Sequence, residues 1–159
     1  MRLTTRTNLA LRALMFCAVN DGRVVRKQEM AEYCNVSENH LAQVINGLSR
    51  KGYVTTLRGR HGGMKLARPQ AEISIGAVSR DFEGGVPLAE CFAAGRNTCP
   101  IASACRLRGA LHRAVEAFYS SLDELTLADM VECNTPLHDI LSLPEDYRSC
   151  PRAPAAAAQ

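Results

Sequence analysis

The chain has 159 residues, of which 47% are hydrophobic, so it can bury one core and carry a small appendage, and its formal net charge is +3. Its first 20 residues place arginines among the apolar positions and contain no small-residue cleavage site, which argues against a secretory signal peptide. No apolar run approaches the roughly 20 residues that a membrane span requires. We therefore expect a cytoplasmic protein with no membrane partner.

The charge is divided unevenly along the chain. Residues 1–68 contain twelve Lys or Arg against four Asp or Glu, whereas the remaining residues contain seven against twelve. A polyanion would therefore bind the first half and be repelled by the second.

The first half predicts three helices. Apolar residues recur on one side of a helix over residues 4–19, and Asp21-Gly22 ends it with a turn. A short second helix follows over Lys27–Cys34. Ser37 is a good N-cap for a third helix that runs to Lys51 and ends at Gly52. Two short helices joined by a tight turn are typical of the helix-turn-helix motif.

The third helix has an apolar face and a polar face. The apolar face follows the i, i+3, i+4, i+7 pattern of a core-facing helix and consists of Leu41, Val44, Ile45 and Leu48. The opposite face contains no acid and consists of Asn39, Gln43, Asn46 and Arg50. Asn and Gln pair bidentately with adenine in the major groove, and Arg suits guanine or a phosphate. An ordinary solvated helix face remains the alternative at this point.

A β-hairpin is predicted after the third helix. Residues 53–57 and 64–66 are β-prone and flank a glycine-rich basic turn, RGRHGG. A turn that only connects two strands has no need of two arginines. Arg58, Arg60 and His61 offer donors to phosphate or to minor-groove edges, as in the wing of a winged helix-turn-helix domain.

The second half contains the longest helical pattern of the chain, over about residues 102–122. Its apolar stripe consists of Leu107, Ala110, Leu111, Ala114, Val115, Phe118 and Leu122. A chain of this size has little with which to cover such a stripe, so we expect it to pair with the same helix of a second subunit. Before it a helix is expected over residues 74–82, and after it one capped by Thr126 and a last turn or two over 136–143.

The predicted fold class is mainly α, with a winged helix-turn-helix DNA-binding domain, a two-stranded β wing and a long dimerisation helix. The DNA-binding domain covers residues 1–83, and a cysteine loop covers 84–106. The dimerisation helix and C-terminal helices cover 107–143. A low-complexity tail, 144–159, is expected to be disordered.

Three cysteines lie in one loop-like stretch, CFAAGRNTCPIASAC, with seven and then five residues between them. In the cytoplasm, clustered cysteines hold a metal more often than they pair as disulfides. Cys91, Cys99 and Cys105 form with His112 a Cys3His set of the structural-zinc type. Thiolates are equally suited to an iron–sulfur cluster, because sulfur is a soft ligand. The spacing alone leaves both possibilities open.

Together these segments resemble the iron–sulfur winged-helix transcriptional regulators of bacteria. The resemblance runs from Met1 to about Leu143 and is carried by MRLTTRTNLALRALMF, VSENHLAQVINGLSRKGYV, LRGRHGGMKLARP and the three-cysteine loop. The segments SRKGYVTTLRGRHGGMKL, ACRLRGALHRAVEAF and TLADMVE are similar to the nitric-oxide-sensing repressors of the family. The cysteine spacing and the preceding AECF are similar to its iron-availability regulators.

The resemblance implies an iron–sulfur cluster held by Cys91, Cys99 and Cys105, a [4Fe-4S] cluster with [2Fe-2S] as the alternative. It implies a homodimeric repressor of double-stranded operator DNA that senses nitric oxide, or alternatively iron availability. Some family members supply a further cluster ligand from an aspartate near the N-terminus of the partner subunit, and the matching residue here is Asn8.

Two other functional classes share parts of this sequence pattern. A zinc-stabilised DNA-binding module without sensing would use the same helices, and a redox enzyme would use the same cysteines. No spacing suggests a Ser/His/Asp or Cys/His catalytic set or a phosphate-binding loop, and the four histidines are dispersed. We therefore expect no enzymatic activity.

Overall fold

The computed structural model describes residues 3–59, 62–85, 87–93, 95 and 97–143. In chain order these form α1 (Thr5–Val19), α2 (Lys27–Cys34), α3 (Glu38–Arg50), β1 (Val54–Leu57), β2 (Gly63–Leu66), α4 (Ile75–Glu83), α5 (Arg106–Asp123), α6 (Leu127–Val131) and α7 (Thr135–Leu141). Short 3₁₀ turns lie at Gln70–Glu72 and Glu90–Phe92. None of the described helices is long and apolar enough to cross a membrane.

The mainly helical fold class with a two-stranded antiparallel sheet is confirmed. The three helices of the first half begin and end within one residue of their predicted limits. The long helix begins at Arg106, four residues later than predicted, because residues 101–104 form turns instead. In these turns the amide of Ala102 donates to the carbonyl of Cys99, and that of Ala104 to Ile101. The predicted tail, 144–159, lies outside the described residues.

Helix α1 is the centre of the core. It is N-capped by the Thr4 hydroxyl, which accepts a hydrogen bond from the Thr7 amide. Leu9 and Phe16 on one side of the helix and Leu14 on another are fully or almost fully buried. This pattern arises because α1 packs against α2, α3, α4, α6 and α7. A helix that is apolar on most sides is stable only when neighbours surround it in this way.

The C-terminal helices join the same core. Backbone hydrogen bonds run from the Leu127 amide to the Ile73 carbonyl, 2.8 Å, and from the Ile75 amide to the Leu125 carbonyl, 2.9 Å. Asn20, at the end of α1, is fully buried; its side-chain amide donates to Leu141 and accepts from the Leu143 amide. The backbone bonds fix the segment after α5 against the start of α4, and the Asn20 bonds fix the end of α7 against the end of α1. The predicted division of the chain at residues 83, 106 and 143 stays a prediction.

The wing is an antiparallel pair in which Val54 lies opposite Leu66 and Leu57 opposite Gly63. Val25, before α2, extends this sheet by exchanging two 2.8 Å backbone hydrogen bonds with Met64. The extra pairing brings the Val25 carbonyl oxygen so close to Gly63 that a Cβ there would collide with it. Gly63 is therefore required by the close approach of two backbones.

We predict that Gly63→Ala lowers the free energy of unfolding. Alanine normally stabilises a chain where glycine stood, but here the Val25 carbonyl must move, which should cost about 1 to 3 kcal/mol. Chemical denaturation measures the change. Gly85→Ala is the matched control, because a Cβ at Gly85 meets nothing within 4 Å. Equal stability of the two variants would contradict the packing described for the wing.

Candidate DNA interface and cysteine loop

The position of α3 is set by its two ends and by its apolar face. Asn35 adopts the left-handed conformation, with φ of 50°, and turns the chain sharply from α2 into α3. The Ser37 side chain then accepts a hydrogen bond from the His40 amide and caps the new helix. The four predicted core residues, Leu41, Val44, Ile45 and Leu48, are all buried. The apolar stripe therefore faces the core as the sequence predicted.

The polar row of α3 faces solvent. The side chains of Asn39, Gln43, Asn46 and Arg50 are all exposed. Amide and guanidinium groups on an exposed helical face can donate to and accept from the edges of bases in a major groove. The geometry therefore makes the row available for DNA, while its role as a contact surface stays a prediction.

Gly47, in the middle of α3, is explained by close packing. A Cβ on Gly47 would lie 3.2 Å from the Arg6 guanidinium and 3.2 Å from the Phe82 ring. Arg6 itself lies over that ring, 5.3 Å from its centroid. A glycine inside a helix costs about 1 kcal/mol relative to alanine. Here it lets α1 and α4 approach α3 closely.

The wing follows α3 in the chain. Arg58 is exposed and directly precedes Gly59, whose φ of 105° demands a glycine. The Gly62 amide closes the turn by donating to the Gly59 carbonyl, 2.9 Å. The other two predicted contact residues, Arg60 and His61, lie outside the described residues. The glycines at 62 and 63 satisfy the fold of the hairpin itself, a requirement that the sequence did not reveal.

The cysteine loop is a hydrogen-bonded segment between α4 and α5. Glu90, beside Cys91, accepts hydrogen bonds from the amide and the hydroxyl of Thr98, beside Cys99, at 2.6 and 2.5 Å. These two bonds hold the pKa of Glu90 below its usual value. The Cys99 amide donates to the Asn97 side chain. The bonds between Glu90 and Thr98 join the neighbours of the first two cysteines across the loop.

The three loop cysteines have free thiols and are partly exposed. Cys91 lies in the 3₁₀ turn at Glu90–Phe92, and Cys105 is the N-cap residue of α5. Across the part of the chain that the structure describes, no three His, Cys, Asp or Glu side chains are grouped as metal ligands. The donor chemistry fits a thiophilic metal centre, but the three thiols and the other described side chains do not form a closed ligand set.

Neither His112 nor Asn8 completes such a set among the described residues, although His112 and Cys105 line the same pocket. The His112 ring neighbours Phe92, with centroids 6.4 Å apart, and is not grouped with the three cysteines as a ligand. Asn8 is exposed on the first turns of α1. An exposed Asn8 is available to a second subunit.

Two further cysteines, Cys17 and Cys34, belong to the core. Burial raises the pKa of both thiols, that of Cys17 to about 12. A buried thiol that stays protonated does not supply the thiolate that iron or zinc requires. Of these five cysteines, the three in the loop are therefore the donors to consider.

Helix α5 leaves its apolar stripe largely uncovered in the single chain. None of its residues is buried, and Leu107 is 64% exposed. Its C-terminal half packs on α4, where Arg80 pairs with Asp123 and lies over the Tyr119 ring at 4.9 Å. The N-terminal half contacts the cysteine loop: Arg108 lies over the Phe92 ring, 6.0 Å from its centroid, and the His112 ring centroid is 6.4 Å from that of Phe92.

Known proteins provide an independent comparison. The family model for Rrf2, iron-dependent transcriptional regulator, matches residues 3–133. The HTH-type transcriptional regulator NsrR of Geobacillus kaustophilus (strain HTA426) is 44% identical over 142 residues, covering 89% of this chain and 97% of that protein. Protein aau3 of Rhizobium meliloti (strain 1021) is 40% identical over 148 residues, covering 93% and 96%. The structure of IscR from T. potens matches with a TM-score of 0.64 and 27% identity, covering 82% and 85%.

The fold, the exposed acid-free face of α3 and these matches define a winged helix-turn-helix, DNA-binding transcriptional regulator. The chain belongs to the Rrf2 family. Its relatives are regulators of transcription, which confirms the expectation that it is not an enzyme.

Proposed function

We propose that this Rrf2 regulator is a homodimeric, cytoplasmic repressor whose affinity for operator DNA is set by an iron–sulfur cluster that responds to nitric oxide. The observation that carries the proposal is the cysteine loop: three free, partly exposed thiols on one hydrogen-bonded segment at the N-terminal end of α5. The family description as iron-dependent supports iron rather than zinc at these thiols.

Cys91, Cys99 and Cys105 would hold the cluster as thiolates, [4Fe-4S] rather than [2Fe-2S]. When bound, such a cluster supplies iron that a small molecule can attack where no thiolate protects it. Three cysteines leave room for one further ligand, and Asn8 of the partner subunit is the candidate. A neutral amide oxygen binds iron more weakly than a thiolate, which suits an exchangeable position.

On the DNA side, we assign base recognition to Asn39, Gln43, Asn46 and Arg50 and backbone contacts to Arg58, Arg60 and His61. The excess of basic residues in the first 68 positions supports this orientation, because phosphates attract that half of the chain. Two copies related by a two-fold axis would place their α3 helices in successive major grooves, about one helical turn apart.

An iron-availability regulator is the second candidate. It would use the same loop and the same DNA surface, and the family's description as iron-dependent favours it. Absorbance titration of the anaerobic protein separates the two: nitric oxide should bleach the cluster of a nitric-oxide sensor at near-stoichiometric amounts. An iron chelator alone should remove the cluster of an iron-availability regulator.

The first test addresses the ligands. Anaerobically purified protein should be coloured, and Cys99→Ala should abolish the colour, because three thiolates leave no spare ligand. Cys34→Ala is the control: it removes a thiol from the core at the end of α2 and leaves the loop untouched, so its colour should remain. A colourless, zinc-loaded wild type would overturn the cluster assignment.

The second test addresses the dimer. Leu107→Asp should convert the protein to a monomer in analytical ultracentrifugation, because a charge would enter the apolar contact between two α5 helices. Leu107 is largely exposed in the single chain, so the folded protomer should be unaffected. Ser120→Asp, an exposed position on the other side of α5, should remain dimeric. A dimeric Leu107→Asp would contradict this interface.

The third test separates specificity from affinity on DNA. Gln43→Ala should relax sequence preference and cost roughly 1 to 3 kcal/mol on the preferred site, the value of one bidentate contact. Arg58→Ala should instead weaken all sequences alike and flatten the salt dependence by about one unit per lost phosphate contact. Fluorescence anisotropy over a salt series measures both. An unchanged sequence preference in Gln43→Ala would remove that residue from the interface.

A further inference from the structure

The end of α3, the start of the wing and the last turn of α4 meet at one carboxylate. One oxygen of Asp81 pairs with the Lys51 ammonium at 2.6 Å, and the other accepts a hydrogen bond from the Tyr53 hydroxyl at 2.8 Å. Lys51 is the C-cap residue of α3, and Tyr53 directly precedes β1. We call Lys51, Tyr53 and Asp81 the Asp81 clamp.

Tyr53 is the junction between the two DNA-facing elements. Its amide donates to the Leu48 carbonyl of α3, 2.9 Å, and its carbonyl accepts from the Ala67 amide just after β2, 3.0 Å. Its ring is almost completely buried and lies under the Arg68 guanidinium, 4.7 Å from the ring centroid. Burial and the bond to Asp81 raise the pKa of Tyr53 to about 12, so its hydroxyl stays protonated and donates.

A second contact from the same turn of α4 supports the middle of α3. Phe82 follows Asp81 and lies against Gly47, where the missing side chain allows the close approach described above. Two neighbouring residues of α4 thus hold α3 at two places, Phe82 at its middle and Asp81 at its end. Both contacts hold α3 against α4, and the Tyr53 hydrogen bond ties the start of the wing to the same turn of α4.

Stability is a poor explanation for the charged part of the clamp. The Lys51 and Asp81 side chains are 42% and 34% exposed, and ion pairs exposed to this degree add little to the free energy of unfolding. An acid beside a DNA-binding surface also repels phosphate. Its presence next to the basic wing therefore calls for a role in geometry.

We propose that Asp81 is a positioning residue for DNA recognition: without touching DNA, its carboxylate fixes the end of α3 relative to the start of the wing. The distance between the exposed row of α3 and Arg58 is then fixed, so that both can contact the same duplex. The inference rests on the proposed reading of DNA by α3 and the wing, and it adds the element that aligns them.

The direction in which Asp81→Asn changes the affinity for DNA distinguishes a positioning role from a purely electrostatic one. Asp81→Asn removes a negative charge and releases Lys51, so an electrostatic role alone predicts tighter binding to every duplex. The clamp predicts weaker binding to the preferred sequence only, because misaligned contacts are lost while the attraction of phosphate remains or grows.

The experiment uses two duplexes and the anaerobically purified full chain. The wild type selects its preferred duplex from a random-sequence pool, and a shuffled duplex of the same composition is the comparison. Asp81→Asn should lose about five-fold or more on the selected duplex, the equivalent of one base contact, and bind the shuffled duplex as tightly as the wild type or more tightly. Asp139→Asn removes an exposed charge on α7 and should weaken neither complex.

Tyr53→Phe is a second variant for the same experiment, and it keeps the ion pair between Lys51 and Asp81. It should weaken the selected complex in the same direction. The double variant should lose less than the sum of the two single losses, because Asp81→Asn already weakens the hydrogen bond that Tyr53→Phe removes. Unchanged affinity of folded Tyr53→Phe and Asp81→Asn for the selected duplex would overturn the inference, as would equal losses on both duplexes. If Asp81→Asn does not fold, Tyr53→Phe decides alone. A wild type that enriches no sequence would instead remove the DNA-reading function itself.

Discussion

Burial of the apolar stripe of α3 determines which face of this helix is left in solvent. Leu41, Val44 and Leu48 are completely buried, and exposing a leucine or valine costs about 1.5 to 3 kcal/mol each. Rotation of α3 about its axis is therefore strongly opposed. The same packing leaves the opposite, acid-free row in solvent and brings the C-terminal end of α3 to the wing.

Helix α4 is the element that the DNA-binding and cysteine-bearing parts of the chain share. Its last turn contacts α3 through Phe82 and the wing junction through Asp81. Glu83, one residue further, accepts a hydrogen bond from the Thr4 amide at the start of α1, 2.6 Å. The cysteine loop begins directly after this turn. A change in the loop therefore has a short covalent path to the residues that hold α3, without any need for a long-range rearrangement.

Periodicity and caps predicted the helices and the two faces of α3, because both depend on residues close together in the sequence. The signal was strong at Ser37, whose cap the structure confirms, and at the i, i+3, i+4, i+7 stripe that follows it. The later start of α5 was not predicted, because residues 101–104 are compatible with either helix or turn, and only the hydrogen bonds of the loop decide between them.

Contacts between residues that are far apart in the sequence could not be predicted from one sequence. It does not show that Asp81 contacts Lys51 and Tyr53, or that Asn20 binds Leu141 and Leu143. The glycines at 47 and 63 could be noticed but not explained, since their neighbours are known only from the fold.

The central claim is that the state of the cysteine-bound cluster controls DNA binding, and one measurement tests it directly. The affinity of cluster-loaded protein for the duplex that it selects is compared, anaerobically, before and after nitric oxide is added. We predict tight binding by the loaded form and release from the duplex after treatment, with Cys99→Ala unresponsive to nitric oxide. Equal affinity before and after treatment, in protein whose cluster absorbance has been lost, would contradict it.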